Sequence, residues 1–195
     1  MGIVVPLRTA EPEATSDGDL VRAAREGDLR AQETLYRRHA PMVYGLAHRL
    51  LGGSRDEVDD LAQDAFVQAL SGLSSLQDPQ SFAKWLGTIV VRSAQRRIRK
   101  KRLRRRLGLV PTEPVAPDAL VSADAPTDVR AELIAIYRIL DELPTDVRLA
   151  LVLRRVEGLA VAEIAERMDL SPATVKRRIQ AGEVLLKGRL SRGDS

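Results

Sequence analysis

Three side chains near the end of the chain, Lys176, Arg177 and Gln180, have the chemistry to read bases. Arg and Lys donate to guanine edges, and Gln bonds both ways to adenine. They follow Ser171-Pro172, a capping residue and a residue suited to the first helical position. At about 100° per residue, Val175, Ile179, Gly182 and Leu186 share one helix face, and Lys176, Arg177 and Gln180 point away from it. Just upstream, Val161, Ile164, Ala165 and Met168 line one side of a short helix, with Asp169-Leu170 as the turn. Ala165 is small where two helices would cross, and Leu170 can plug the turn. Residues 160–190 therefore read as a helix-turn-helix whose second helix fits a major groove. Ser171, Thr174 and Arg178 are placed for phosphate contacts, which orient without specifying sequence. The plain alternative is a helix pair with a solvated basic face. The capped start and the outward cations together favour DNA.

A second set of candidate residues lies in the first half. Val58–Phe66 is a helical stretch in which Asp59, Asp60, Gln63 and Asp64 make an acidic and amide face beside an apolar one. Charge alone would make it a solvated face. Phe82-Ala83-Lys84-Trp85-Leu86 stands just ahead of residues 92–106, which hold ten basic and no acidic side chains. A lone Trp is more often core than ligand. A ring beside a dense positive stripe is nevertheless what a binder of melted duplex needs, because bases stack on rings while cations follow phosphates.

The elements that must hold these residues are helical. Leu, Val, Ala, Glu and Arg dominate, and apolar residues recur at helical spacing. A helix is expected from Asp17 or Asp19 to Gly27-Asp28, and a second with Leu29, Leu35 and Tyr36 that restarts at Pro41 and ends at Gly52-Gly53. Ser54 and Glu57 suit a capping box, and Asp78-Pro79 opens a helix running into the basic stripe. Residues 108–128 carry Pro111, Pro114, Pro117 and Pro126, four acidic and no basic side chains, and no helical period. Such a segment is extended and flexible, with a reach of about 60 Å. The expected fold is all-α: a flexible tail (1–16), a helical domain (17–107), a Pro-rich acidic linker (108–128), a second helical domain (129–190) ending in the helix-turn-helix, and a C-terminal tail (191–195).

Composition excludes several classes. There is no cysteine, so disulfides and thiolate metal sites are ruled out, and a reducing cytoplasm is the natural setting. His39 and His48 are the only histidines. No Gly-rich phosphate loop or Ser/His/Asp arrangement occurs, so no catalytic residue, metal, cofactor or small-molecule substrate is expected. No run of eighteen apolar residues exists, and the start lacks the pattern of a secretory signal. The formal net charge of +4 conceals −4 over residues 1–91, +10 over 92–106, −4 over 108–128 and +2 over 129–195.

At Asp59-Asp60-Leu61, Gln63, Phe66 and Trp85-Leu86, then Leu143-Pro144, Gly158, Glu163-Ile164-Ala165 and Thr174-Val175-Lys176, the chain resembles the extracytoplasmic-function sigma factors of bacterial RNA polymerase. Both motif sets occur in the family's order. The resemblance implies a factor that binds core RNA polymerase and directs promoter recognition, melting and transcription initiation. It places Asp60, Gln63, Asp64 and Phe66 at the polymerase. It assigns the loop from Ser71 to Gln80, with Lys84, Trp85, Arg92, Arg96, Arg99 and Lys100, to the −10 element. Ser171, Thr174, Lys176, Arg177, Arg178 and Gln180 would serve the −35 element, the acidic linker would thread toward the RNA exit path, and an anti-sigma factor is an expected partner. Two positions depart from the family pattern, Arg92 where Asn is usual and Arg96 where Asp is usual. Ala181-Gly182-Glu183 also replaces a common Arg-Ala-Arg. The competing reading is a free-standing helix-turn-helix regulator that binds duplex DNA unaided.

Overall fold

Eight α-helices and two 3₁₀ turns make up the computed structural model, which describes residues 15–109 and 126–193. Most of the expected N-terminal tail, most of the expected linker (110–125) and residues 194–195 lie outside the described residues. The helices are α1 (Asp17–Arg25), α2 (Leu29–Leu51), α3 (Arg55–Ser71), α4 (Phe82–Arg106), α5 (Thr127–Glu142), α6 (Thr145–Arg155), α7 (Val161–Met168) and α8 (Pro172–Gly193). There is no strand among the described residues.

Short polar side chains start several of these helices by accepting from otherwise unpaired amides. Ser16 Oγ accepts from Asp19 N at 3.2 Å, and Asp28 Oδ1 accepts from Arg30 N at 2.8 Å and Ala31 N at 3.3 Å. Ser54 Oγ takes Glu57 N at 3.4 Å, and Ser171 Oγ takes Thr174 N at 3.2 Å. Replacing Asp28 by alanine should lower the stability by about 1 kcal/mol in thermal unfolding, since two amides lose their acceptor.

The expected restart at Pro41 does not occur; α2 runs unbroken through it. Pro41 is exposed, while Leu35, Val43, Leu46, Ala47 and Leu50 of the same helix are buried. Burial of that stripe outweighs the roughly 3 kcal/mol penalty of an internal proline. At the other end, Gly52 adopts the left-handed conformation (φ 54°) that closes the helix, and a β-carbon there would overlap the Tyr137 ring. His39 is a packing residue, set against Phe82 with ring centroids 5.2 Å apart.

Helices α1–α4 gather around Val21, Leu35, Leu50, Leu61, Phe82, Leu86 and Val90. Helices α5–α8 gather around Leu149, Leu153, Ile164 and Val175. The two sets are joined: α4 packs on α6 and α7, and α2 meets α6, so the buried residues form one continuous cluster. Within the second set α8 lies close against α6 because Gly182 has no side chain; a β-carbon there would come 3.1 Å from Val147 Cγ1 and 3.3 Å from Leu151 Cδ2. Gly182→Leu should therefore lower the unfolding midpoint by an overpacking penalty of about 1–3 kcal/mol. Gly188 of the same helix meets nothing within 4 Å. Gly188→Ala should be stabilising by up to about 1 kcal/mol, in the opposite direction.

Candidate nucleic-acid interface

The turn between α7 and α8 is made by Asp169 in the left-handed conformation (φ 55°) and by Leu170, whose amide bonds the Ala165 carbonyl at 3.0 Å. It leaves Ile164, Ala165 and Met168 of α7 buried, with Val175 and Ile179 of α8. That anchoring turns Lys176, Arg177 and Gln180 outward, all exposed, with Ser171 exposed at the helix start. Thr174 is half-buried, its hydroxyl 2.9 Å from that of Ser171. Arg178 is placed differently. It is half-buried, turned toward the first set of helices, and shares a cleft with Arg99, Arg102, Arg106 and Asp146.

The stripe of α4 divides between two sides. Along one, Lys84 Nζ lies 2.7 Å from Glu166, and Arg92 donates at 3.3 Å to each of the Glu166 and Arg167 carbonyls. Further down, Gln95 and Arg99 reach the Asp146 carboxylate at 2.9 and 2.8 Å, and Arg102 donates to the Asp141 carbonyl at 2.6 Å. Burial tends to raise the Asp146 carboxyl, but the bonds from Gln95 and Arg99 and the nearby guanidinium charges hold it below its ordinary value. On the other side, Arg96 bonds Gln68 Oε1 at 3.0 Å and Ser93 Oγ at 2.9 Å, and exposed Lys100 lines a cleft of about 500 Å³ with Arg97, Lys101 and Arg104.

Trp85 is half-buried, its ring tilted beside Phe82 at 6.2 Å between centroids. The loop after α3 rests against the ring at Gly72, where a β-carbon would lie 3.5 Å from the indole in ordinary contact but 2.9 Å from the Gln68 carbonyl oxygen, too close for a side chain. Asp78 anchors the same loop. Its carboxylate accepts from Ser81 Oγ at 2.6 Å and Gln80 N at 3.1 Å, and these bonds lower its carboxyl from the ordinary value.

On α3, Asp60, Gln63 and Asp64 form an exposed face. Arg97 reaches across from α4, donating to the Asp60 carbonyl at 3.1 Å and pairing with the Asp64 carboxylate. Phe66 is not part of that face. It is 4 % exposed and packed on Tyr36 with centroids 4.6 Å apart, because position 66 falls on the apolar side with Ala62 and Ala69.

This geometry has close counterparts. A family profile described as Sigma-70 region 2 matches residues 35–104, and one described as Sigma-70, region 4 matches residues 133–186. The ECF RNA polymerase sigma factor SigM of Mycobacterium tuberculosis is 32% identical over 163 residues, 84% of this chain and 79% of that protein. The chain belongs to the ECF sigma factors. The sigma-E factor of Escherichia coli is 30% identical over 176 residues, covering 86% of this chain and 90% of its own length. Among solved structures, CnrH in complex with the cytosolic domain of CnrY aligns with a TM-score of 0.62 at 27% identity, over 93% of this chain and all of that one. The sigma factor RpoE of Bartonella quintana, solved with the anti-sigma factor NepR, shares the fold with a TM-score of 0.63 at 22% identity, over 82% of this chain and 96% of that one.

As a sigma factor the protein binds core RNA polymerase and directs promoter recognition, melting and initiation. Several residues of this sigma factor escaped the sequence reading. Arg97 carried no sign that it would bridge to the acidic face, since it is one of ten cations in its stripe. Arg148 sits between Val147 and Leu149 and is 2 % exposed, a burial that a single charged letter does not announce. Asp141 and Asp146 organise the contacts to α4, and only their positions near the ends of α5 and α6 hinted at a role.

Proposed function

We propose that the sigma factor works as two modules, 17–107 and 129–190, joined by the acidic linker. Asp60, Gln63 and Asp64 contact the polymerase, with Phe66 holding their helix in place from beneath. The Ser71–Gln80 loop with Lys84 and Trp85 captures a base from the melted −10 element, while Arg92, Arg96, Arg99 and Lys100 follow phosphates. Extracting a base costs a few kcal/mol of stacking, which a ring beside a loop can offset. Lys176, Arg177 and Gln180 read the −35 element, and Ser171, Thr174 and Arg178 address its backbone. The observation that carries this reading is the outward placement of Lys176, Arg177 and Gln180 on a helix anchored through Val175 and Ile179.

The protein has no chemistry of its own in this scheme and works in the cytoplasm. An anti-sigma factor is its natural regulator; RpoE of Bartonella quintana was solved in complex with one, NepR. Run-off transcription with core polymerase, with and without the protein, is the direct test. Specific transcripts that need the protein support the scheme, and none from any genomic promoter would sink it. A gel shift without polymerase should show weak duplex binding.

Arg96 bonds Gln68 of α3, and Lys100 is exposed at a cleft whose walls include Asp141 and Arg148. Arg96→Ala and Lys100→Ala should each weaken open-complex formation and reduce its salt slope by about 1, the signature of a lost phosphate contact. An unchanged slope would make them solvated surface.

A further inference from the structure

We propose that the cleft between the C-terminal half of α4, α3 and the facing ends of α5 and α6 binds a small polyphosphate anion: a pyrophosphate group, free or at the end of a nucleotide. The cleft measures about 500 Å³, within the range of about 300–1,000 Å³ usual for small-ligand sites. Seven cationic and three acidic side chains line it, which leaves four positive charges in excess. Five of the cations, Arg97, Lys100, Lys101, Arg104 and Arg105, recur at three and four residues along α4 and so share one face. Like charges at that spacing repel one another.

The carboxylates of the cleft are already taken. Glu57 pairs with Lys101, Asp64 with Arg97, and Asp141 is shared by Arg105 and Arg148. Arg102 donates to an uncharged oxygen, the Asp141 carbonyl. Burial, then the charges of Arg105 and Arg106, push its pKa down against the pull of Asp141. Lys100 and Arg104 are exposed and have no ion partner among the described residues.

The walls also hold unpaired donors. Arg148 is 2 % exposed, and neither its Nε nor that of Arg105 has a hydrogen-bond partner among the described residues. Donors and positive charge thus both exceed what the protein's own oxygens satisfy, and a group with several anionic oxygens complements both. The shape favours a compact anion over a strand. A nucleic-acid backbone carries its charges singly and continues on both sides of each phosphate, which suits an open track. A cleft walled by α3, by α4 and by α5 with α6 suits the end of a phosphate chain, where several charges stand together. Lys100, assigned above to a promoter phosphate, is one of its exposed cations.

The test titrates the full chain without polymerase, at constant ionic strength, with sodium pyrophosphate, GTP and sodium sulfate. Calorimetry should show one pyrophosphate or one GTP bound per chain, and sulfate about 10-fold weaker or worse. Equal affinity for pyrophosphate and GTP supports the phosphate chain alone as the ligand, and tighter GTP supports a nucleotide. Arg104→Ala, which disturbs no contact of the fold, should weaken pyrophosphate about 5-fold, the upper value for an exposed ion pair. Arg148→Met should weaken it about 10-fold or more, with the urea midpoint confirming a folded chain. Lys176→Ala, on the outward face of α8, should leave it unchanged. No saturable binding, sulfate as tight as pyrophosphate, or equal weakening by Lys176→Ala overturns the site. So does an equal loss, in Arg148→Met, of binding to a single-stranded oligonucleotide without terminal phosphates, which would make the cleft part of the DNA path.

Discussion

Replacing Asp141 by asparagine is expected to lower the stability of the full chain by about 3 kcal/mol, the low end of what stranding a buried charge costs. The charge at risk is Arg148. It is 2 % exposed, pairs with the Asp141 carboxylate at 2.9 Å, and donates its other terminal nitrogen to the Leu51 carbonyl. Burial pushes its pKa down, and the charge of Asp141 opposes that push most strongly. Asp141 also takes Arg105 at 2.8 Å, so one carboxylate ties α5 to α4 and α6. Asparagine keeps the shape and removes the charge, leaving two guanidinium groups facing a neutral amide. The low end is chosen because the Asp141 side chain is 34% exposed, and water can replace part of what is lost. The check is the urea midpoint at constant m-value. Arg148→Met is the companion variant. It removes the buried charge instead of stranding it and should be far milder. Equal losses in the two variants would refute the charge argument.

The same carboxylate sets an acid limb. Burial raises the Asp141 carboxyl, but the hydrogen bond from Arg105, both guanidinium charges and the bond from Arg148 together hold it below its ordinary value. A depressed folded pKa contributes stability that is complete above the unfolded value, about 3.9, and is lost as pH falls through the folded value. Asp146 is shifted the same way and adds to the same window. Stability should therefore fall as the solution is acidified below about pH 4. Asp141→Asn should make that fall shallower, and a parallel acid limb in the variant would exclude Asp141 as its source.

The second large effect is expected in promoter choice. Lys176→Ala or Arg177→Ala should cost about 1–3 kcal/mol per lost base contact, or roughly 5- to 150-fold in initiation from the preferred −35 sequence. Both side chains are exposed on the outward face of α8, while Val175 and Ile179 hold that face in place. Removing either charge should leave the fold unchanged and alter which −35 variants rank highest in a run-off series. Arg178→Ala should leave that ranking intact, because Arg178 is half-buried and turned toward the Asp146 cleft. A uniform loss across all −35 sequences would reassign Lys176 and Arg177 to the phosphate backbone.

How far the letters led depended on how local each interaction is. Ser54 and Ser171 act on amides three residues away, so their caps were legible. The helix-turn-helix was legible for a related reason, since the period of Val175, Ile179 and Gly182 places Lys176, Arg177 and Gln180 by geometry alone. Pro41 misled because a local penalty was set against burial that came mainly from α1, α3 and α4. Phe66 misled because a motif residue need not touch the partner its motif serves; its ring completes the packing against Tyr36.

The Lys176-Arg177-Gln180 face and the basic stripe of α4 mark the division. Sequence alone determined that both exist, that they lie on helices, and that one is anchored to point outward, because composition and a 3.6-residue period are properties of the chain itself. Only the tertiary structure decided which cations of the stripe are engaged. Lys84, Arg92 and Arg99 meet Glu166, the end of α7 and Asp146, while Arg96 bonds Gln68 of α3 and Lys100 is exposed at the other cleft. Those partners lie between 47 and 82 residues away in sequence. No periodicity connects positions so far apart; packing of α6 and α7 on α4 brings them together.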